Sequence, residues 1–246
     1  MNKKYHGKVI LFGEYSMIFG SEALLIPYDS VFGEWSSVIN RPSDRGFDLN
    51  KKLFEFFDYL RKDDKFRILD LRRFEMELNA GLFFDCNIPL GYGVGSSGAL
   101  VAAVYDRFKL IEIEDTLKLK SFLASMENYF HGSSSGIDPL QCYFGKPFVL
   151  SQKITDNGQQ SSFTILDNDF ISDDIHIFLL DTNIKSPTGP LVEHFKERRR
   201  DEKYLDKFNN EYVPLVSECI DCLVEKKDDE FFANLLRLST LQLELL

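Results

Sequence analysis

The chain is poor in the residues that build disulfide scaffolds or metal cages, with 4 cysteines and 4 histidines among its 246 residues. Cys86, Cys142, Cys219 and Cys222 are too scattered to define a disulfide framework. Cys219 and Cys222 form a C-x-x-C, but it sits in LVSECIDCLVE, where positions i and i+3 share a helix face, and neither a second pair nor a histidine stands nearby. Core packing is the expectation for both. Positive charge is also short: 29 lysines and arginines face 39 aspartates and glutamates, a formal net charge of −10. That balance argues against general affinity for nucleic acid or anionic membranes, so an anionic ligand would need a local positive pocket. No run of about 18 apolar residues and no N-terminal apolar leader is found, so a cytoplasmic chain with no membrane partner is expected. Repeats with a period of about 20–50 residues are missing too.

What remains suits a globular protein able to bury a core in one large or two modest domains: 44% of residues are hydrophobic and 28% charged. GKVILF (7–12) and ALLIPY read as strands of one sheet. Leu53, Phe56, Phe57 and Leu60 recur at helical spacing, whereas the segment around FEMEL alternates as a half-exposed strand would. LFFDCNI is a further strand. Leu119, Phe122, Leu123 and Met126 predict an amphipathic helix that delivers Glu127 near its end, before the small-residue loop HGSSSGID. Residues 151–174, with Asp156-Asn157-Gly158, read as a hairpin or exposed connection at a domain boundary. HIFLLDT (176–182) is expected to open the second part as a buried strand, followed by the loop TNIKSPTGP and a helix whose Arg198, Arg199 and Arg200 form a solvated face. The rest reads as helix, and its apolar ending LSTLQLELL has no capping glycine, so the natural protein is expected to continue past Leu246.

The segment PLGYGVGSSGALVAAVYDRF (89–108) runs from a glycine-rich loop straight into an apolar helix. Gly91, Gly93, Gly95 and Gly98 let the backbone approach a ligand, and the unpaired first N–H groups of the helix, at the positive end of its dipole, can hold anionic oxygens. Ser96 and Ser97 could cap the helix or ligate a phosphate-bound cation. An ordinary helix cap after a tight turn is the alternative. Gly93, Gly95 and Gly98 also spell G-x-G-x-x-G, with Glu112, Glu114 and Asp115 roughly 20 residues later, as in a dinucleotide-binding oxidoreductase. A Pro89-containing loop intervenes, however, and no strand is evident at the acidic cluster.

GKVILFGEYSMIFG (7–20), PLGYGVGSSGAL (89–100) and ENYFHGSSSGID (127–138) together resemble the three segments that mark the N-terminal part of GHMP-type small-molecule kinases, and within that superfamily the mevalonate kinases. The resemblance implies a two-domain α+β GHMP-kinase-like fold, with residues 1–165 as the N-terminal domain, 166–246 as an incomplete C-terminal domain and the active site in the cleft between them. It implies ATP and Mg²⁺ as cofactors and a small-molecule alcohol as acceptor, and leaves a homodimer open. By resemblance, Asp138 orients and deprotonates the acceptor hydroxyl and Lys8 pairs with it and stabilises the developing alkoxide. Gly91, Gly93, Gly95, Ser96, Ser97 and Gly98 hold nucleotide phosphates, with Ser96 the better candidate for the helix cap. Ser97 and Glu127 fit Mg²⁺ coordination. Tyr15, His131 and Ser135 face the acceptor or shape its loop.

The pattern is departed from at three positions, the last of which bears on substrate identity. His6 and Ser134 stand where the family commonly has proline, and Tyr15 where mevalonate kinases generally have histidine. The resulting Gly13-Glu14-Tyr15 is similar to phosphomevalonate kinase. The family's third glycine-rich motif is not found, which keeps a truncated chain and a silent nucleotide-binding relative open beside the enzyme.

Overall fold

The structure is a computed structural model that describes residues 3–14, 16–19, 21–39, 44–155, 158–180, 195, 197, 198 and 200–245. Two compact units emerge. One comprises Met1–Val9, Pro27–Leu90 and Val94–Gly145, the other Ile10–Ile26, Gly91–Gly93 and Lys146–Leu246. The protein is α+β: strands β1 (Lys4–Phe12), β2 (Glu22–Ser37), β3 (Leu82–Cys86), β4 (Phe148–Thr155) and β5 (Gly158–Ile165) are joined in the order β1-β2-β4-β5, with β3 also on β2. β1 and β2 each contribute residues to both units.

In the first unit the C-terminal half of β2 pairs antiparallel with β3, from Gly33↔Cys86 to Ser37↔Leu82. Helices α1 (Asp44–Leu60), α2 (Leu71–Asn79), α3 (Ser96–Phe108), α4 (Thr116–His131) and α5 (Ile137–Phe144) complete it. The core is aromatic. Phe74 stacks on Phe108 with ring centres 4.3 Å apart, and Trp35 meets both Phe84 and Phe108 edge-on. Rings of this size bury more apolar area than any aliphatic side chain, and offset or edge contacts add to it. α3 is buried along most of its length because its Gly98-Ala99-Leu100-Val101-Ala102-Ala103 run is small enough for neighbours to approach its backbone.

FEMEL is helical rather than extended. It lies in α2, whose N-cap Asp70 accepts a hydrogen bond from Arg73 N–H and whose Phe74 and Leu78 are buried one turn apart. The alternation of FEMEL was local, while the spacing of Leu71, Phe74 and Leu78 is the helical one.

In the second unit the N-terminal part of β2 pairs with β4, from Glu22↔Ser151 to Leu25↔Phe148, and β4 returns as β5. Helices α6 (Glu202–Lys207), α7 (Val213–Val224) and α8 (Asp228–Leu245) pack around Phe12, Leu24, Phe208, Tyr212, Val216, Ile220 and Leu238. A π-helical turn at Phe208–Tyr212 joins α6 to α7, and the rings of Tyr204, Phe208 and Tyr212 stack through it. Cys219 and Cys222 are buried on α7 as free thiols, in keeping with a packing role.

The expected buried strand at 176–182 is not found over its described part. Residues 176–180 hold no regular structure and are exposed, Phe178 at 88%. An apolar run specifies burial only where a partner surface receives it, and among the described residues Ile177, Phe178, Leu179 and Leu180 stay exposed. Residues 181 and 182, the loop 182–190, Arg199 and the turn at 156–157 lie outside the described residues. No helix among the described residues is long and apolar enough to cross a membrane.

Candidate active site

Lys8 sits on β1 with only 5% of its surface exposed. An ammonium buried that deeply without a counter-charge would cost several kcal/mol, roughly the penalty of one uncompensated ion. Asp138 supplies the counter-charge, its Oδ1 lying 2.9 Å from Lys8 Nζ. The pair is asymmetric: the lysine side chain is 7% exposed and the aspartate 33%, so the carboxylate can be reached from solvent while its partner cannot.

Local sequence explains how Asp138 arrives there. Gly136 caps α5 with φ 74°, and a Cβ at that position would stand 2.1 Å from the carbonyl oxygen of Lys120, so the turn runs directly against α4. Asp138 and Pro139 then occupy the first helical turn. Here a carboxylate is favoured by the helix dipole and a proline forfeits no hydrogen bond.

The glycine loop meets this turn. Gly95 is the N-cap of α3 at φ 86°, and its carbonyl accepts from Ala99 N–H at 2.9 Å. The N–H groups of Ser96, Ser97 and Gly98 consequently lack intrahelical acceptors and form the positive end of α3. A Cβ on Gly98 would lie 2.8 Å from the carbonyl carbon of Asp138 and 2.9 Å from Pro139 N, which only glycine permits. A Cβ on Gly95 would lie 3.0 Å from Lys8 Cγ, and Lys8 N–H donates to Val94 O at 3.0 Å. The amide-lined corner, the ammonium and the carboxylate thus belong to one place within the first unit.

A second polar cluster adjoins the corner. Ser97 Oγ donates to Glu127 Oε1 at 2.8 Å, and Ser134 Oγ donates to Glu127 Oε2 at 2.5 Å. Because Ser97 has one proton and gives it to Glu127, the 2.9 Å contact between Ser97 Oγ and His131 Nε2 has the imidazole as donor. Burial, reinforced by the charge of Asp138, pushes the Glu127 carboxyl above the usual range despite the opposing bonds from Ser134 and Ser97. Ser134 joins the site although the sequence marks it only as a departure from the family pattern: it holds one oxygen of Glu127 and also accepts from Gly136 N–H at 2.9 Å, tying the carboxylate to the α5 cap. A serine in place of the family's proline was the available signal.

The donor set can be tested against a metal. Among the described residues no three His, Cys, Asp or Glu side chains gather as a protein-only site. A single carboxylate and a hydroxyl oxygen 2.8 Å away are what a hard cation accepts when it brings waters and phosphate oxygens of its own.

Other expected residues fall as follows. Ser96 is not the helix cap: Gly95 holds that position without a side-chain hydrogen bond, and Ser96 is the first helical residue. Gly91 and Gly93 precede the corner with φ of 81° and 69°, and a Cβ on Gly93 would meet nothing within 4 Å. Ser135 Oγ accepts weakly from Ile137 N–H at 3.4 Å. Tyr15 lies outside the described residues. Glu112 is held by Lys109 and Tyr143, and residues 110–115 after α3 contain no strand, so the βαβ context of a dinucleotide fingerprint is lacking there.

With this geometry in view, residues 55–146 match the family model of the GHMP kinases N terminal domain. A mevalonate kinase of Archaeoglobus fulgidus is 30% identical over 153 residues, covering 60% of this chain and 51% of that protein. Over residues 55–146 the chain thus resembles the N-terminal domain of the GHMP kinases. It matches about half the length of that curated relative. Two solved structures share the fold: mevalonate kinase of L. major in complex with R-mevalonate (15% identity, TM-score 0.60, 100% of this chain and 76% of that one) and Methanococcus jannaschii mevalonate kinase (17%, 0.57, 100% and 79%). The GHMP kinase match takes in the corner at Gly95–Gly98, Glu127 and Asp138, while Lys8 reaches the same place from β1 ahead of it.

Proposed function

We propose that the chain is an ATP-dependent small-molecule kinase that transfers the γ-phosphoryl group to the primary hydroxyl of mevalonate. The observation that carries this reading is the 2.9 Å Lys8–Asp138 pair set against the open N-terminus of α3. Phosphoryl transfer asks a protein mainly to position reactants and balance charge, and this corner has a group for each task.

Gly91, Gly93, Gly95, Ser96, Ser97 and Gly98 would receive the nucleotide phosphates through backbone N–H groups and serine hydroxyls. Ser97 and Glu127 would hold Mg²⁺, for which Ser97 must turn its proton away from Glu127. Bound Mg·ATP supplies the electrophilic phosphorus and a cation that spreads the phosphate charge. Asp138 accepts the proton of the acceptor hydroxyl as the new oxygen–phosphorus bond forms and the bond to the bridging oxygen of ADP breaks. Lys8 pairs with Asp138 at 2.9 Å beforehand and offsets negative charge on the attacking oxygen during transfer. His131 and Ser135 line the loop on the acceptor side, and Tyr15 would contact the acceptor itself. The reading includes a division of the chain near residue 165.

The sequence Gly13-Glu14-Tyr15 favours one alternative, phosphomevalonate as acceptor. ADP release measured with mevalonate, phosphomevalonate and a panel of sugar alcohols separates these readings. Acceptor-dependent release with mevalonate supports the proposal, preference for phosphomevalonate selects the alternative, and ATP binding without release for any alcohol makes the chain a silent relative.

A further inference from the structure

The three elements that meet at the site, β1, α3 and α5, meet a second time at their other ends. Tyr5 on β1, three residues before Lys8, is 2% exposed and donates its hydroxyl to Asp106 Oδ2 at 2.8 Å. Asp106 lies on the last turns of α3, and the same oxygen receives Lys3 Nζ at 2.7 Å. Lys109, which caps the C-terminus of α3, reaches Asp106 Oδ1 at 3.0 Å and the Tyr143 hydroxyl at 2.7 Å. Tyr143 is five residues beyond Asp138 on α5 and spends its own proton on Glu112 Oε1 at 2.5 Å. Each of the donors Lys3, Tyr5, Lys109 and Tyr143 in this network has an acceptor. Asp106 and Lys109 are each about one-fifth exposed, so solvent competes little for these bonds.

We propose that Asp106 and Lys109 are positioning residues that fix β1 and α5 to the far end of α3, and so set the distance between Lys8 and Asp138. A helix of 13 residues is about 20 Å long, so a tilt of about 3° at one end moves the other by about 1 Å. A misplacement of that size costs up to about a hundredfold in rate when it falls on reacting groups. At the site end α3 is held by close packing of Gly98 on the Asp138 turn and of Gly95 on Lys8, without, among the described residues, a direct hydrogen bond from α3 to Lys8 or Asp138 to fix the spacing between them. Lys8 and Asp138 are joined there by a single ion pair, and the backbone bond from Lys8 reaches Val94 in the loop before α3 rather than α5. Burial and the charge of Asp106 raise the Tyr5 phenol, which keeps it a donor at all ordinary pH.

The kinetic side of the test rests on the kinase reading, while the spectroscopic side does not. Tyr5→Phe and Asp106→Asn are made in the full chain with Lys8 intact and with Lys8→Met. With Lys8 intact, kcat falls about ten- to a hundredfold with KM for ATP little changed; with Lys8→Met, neither substitution lowers kcat further. Equal factors in both backgrounds overturn the inference, since general loosening would act regardless of Lys8. In parallel, the ammonium protons of Lys8 are followed by nitrogen-15 NMR. Slow exchange in the parent chain that is lost in Tyr5→Phe supports the inference, and an unchanged Lys8 signal in both variants overturns it. A chain that shows the coupling by NMR but phosphorylates no alcohol overturns the kinase reading and leaves the positioning role standing.

Discussion

At Gly98 one added methyl group should separate activity from stability. In an exposed helix, glycine to alanine gains about 1 kcal/mol through backbone entropy. Here the new Cβ would stand 2.8, 2.9 and 3.1 Å from the Asp138 carbonyl carbon, Pro139 N and Asp138 Cβ, none of them at the end of a flexible side chain. Carbon atoms in contact prefer about 3.5–4.0 Å, so the first turn of α5 must withdraw by about 0.5–1 Å. Overpacking of this kind costs about 1–3 kcal/mol, and after the propensity gain the net loss of stability should be about 0–2 kcal/mol. The displaced atoms belong to Asp138 itself, so turnover should fall about a hundredfold. Gly145→Ala should behave in the opposite way. That residue closes α5 with φ 60° and open space around its Cβ, so the substitution costs about 1–2 kcal/mol of strain and leaves Asp138 in place. Urea denaturation and steady-state ADP release on both variants decide the matter. If Gly98→Ala is more stable than the parent and fully active, the contact between α3 and the Asp138 turn is not as described.

Three further outcomes follow from the same geometry. Lys8→Met should leave Asp138 without its counter-charge and lower kcat more than it raises KM for ATP, as read from initial rates over a range of ATP concentrations. Glu127→Gln tests the buried carboxyl: its pKa is raised above the ordinary value of 4.5, so the native state holds that proton more tightly and stability falls as pH rises through this range. Glu127→Gln should therefore raise the melting temperature at pH 7, with the gain shrinking as pH drops towards 4.5, although Mg²⁺-dependent activity is lost. Ser134→Ala removes the donor to Glu127 Oε2 and the acceptor for Gly136 N–H; a loss of about 1–3 kcal/mol in denaturant unfolding and weaker Mg²⁺ dependence are expected.

Much of the site was legible in sequence because glycine spacing encodes backbone conformation directly. Gly95 and Gly136 had to take left-handed φ at the two loop-to-helix turns, and the residues after them, Ser97 and Asp138, follow from the helix that each turn starts. The proximity of Lys8 to Asp138 was available only through the family resemblance, since no local pattern links residues on β1 and α5. Ser134 was missed for the same reason: its value lies in reaching back to Glu127 across a loop. FEMEL misled because alternation over five residues fits a strand and a helix equally well, and the Asp70 cap that decides it lies outside that window. The apolar run at 176–180 misled because hydrophobicity states a preference for burial without supplying the surface that would bury it.

The role of Asp138 in phosphoryl transfer is tested by phosphorus-31 NMR of Mg·ATP and mevalonate with the parent chain and with Asp138→Asn, alongside calorimetric titration of ATP into both. A new phosphomonoester signal and ADP are expected with the parent chain, and near-parent ATP affinity with product formation slowed by orders of magnitude in the variant. Equal rates of product formation by the two proteins would contradict that role.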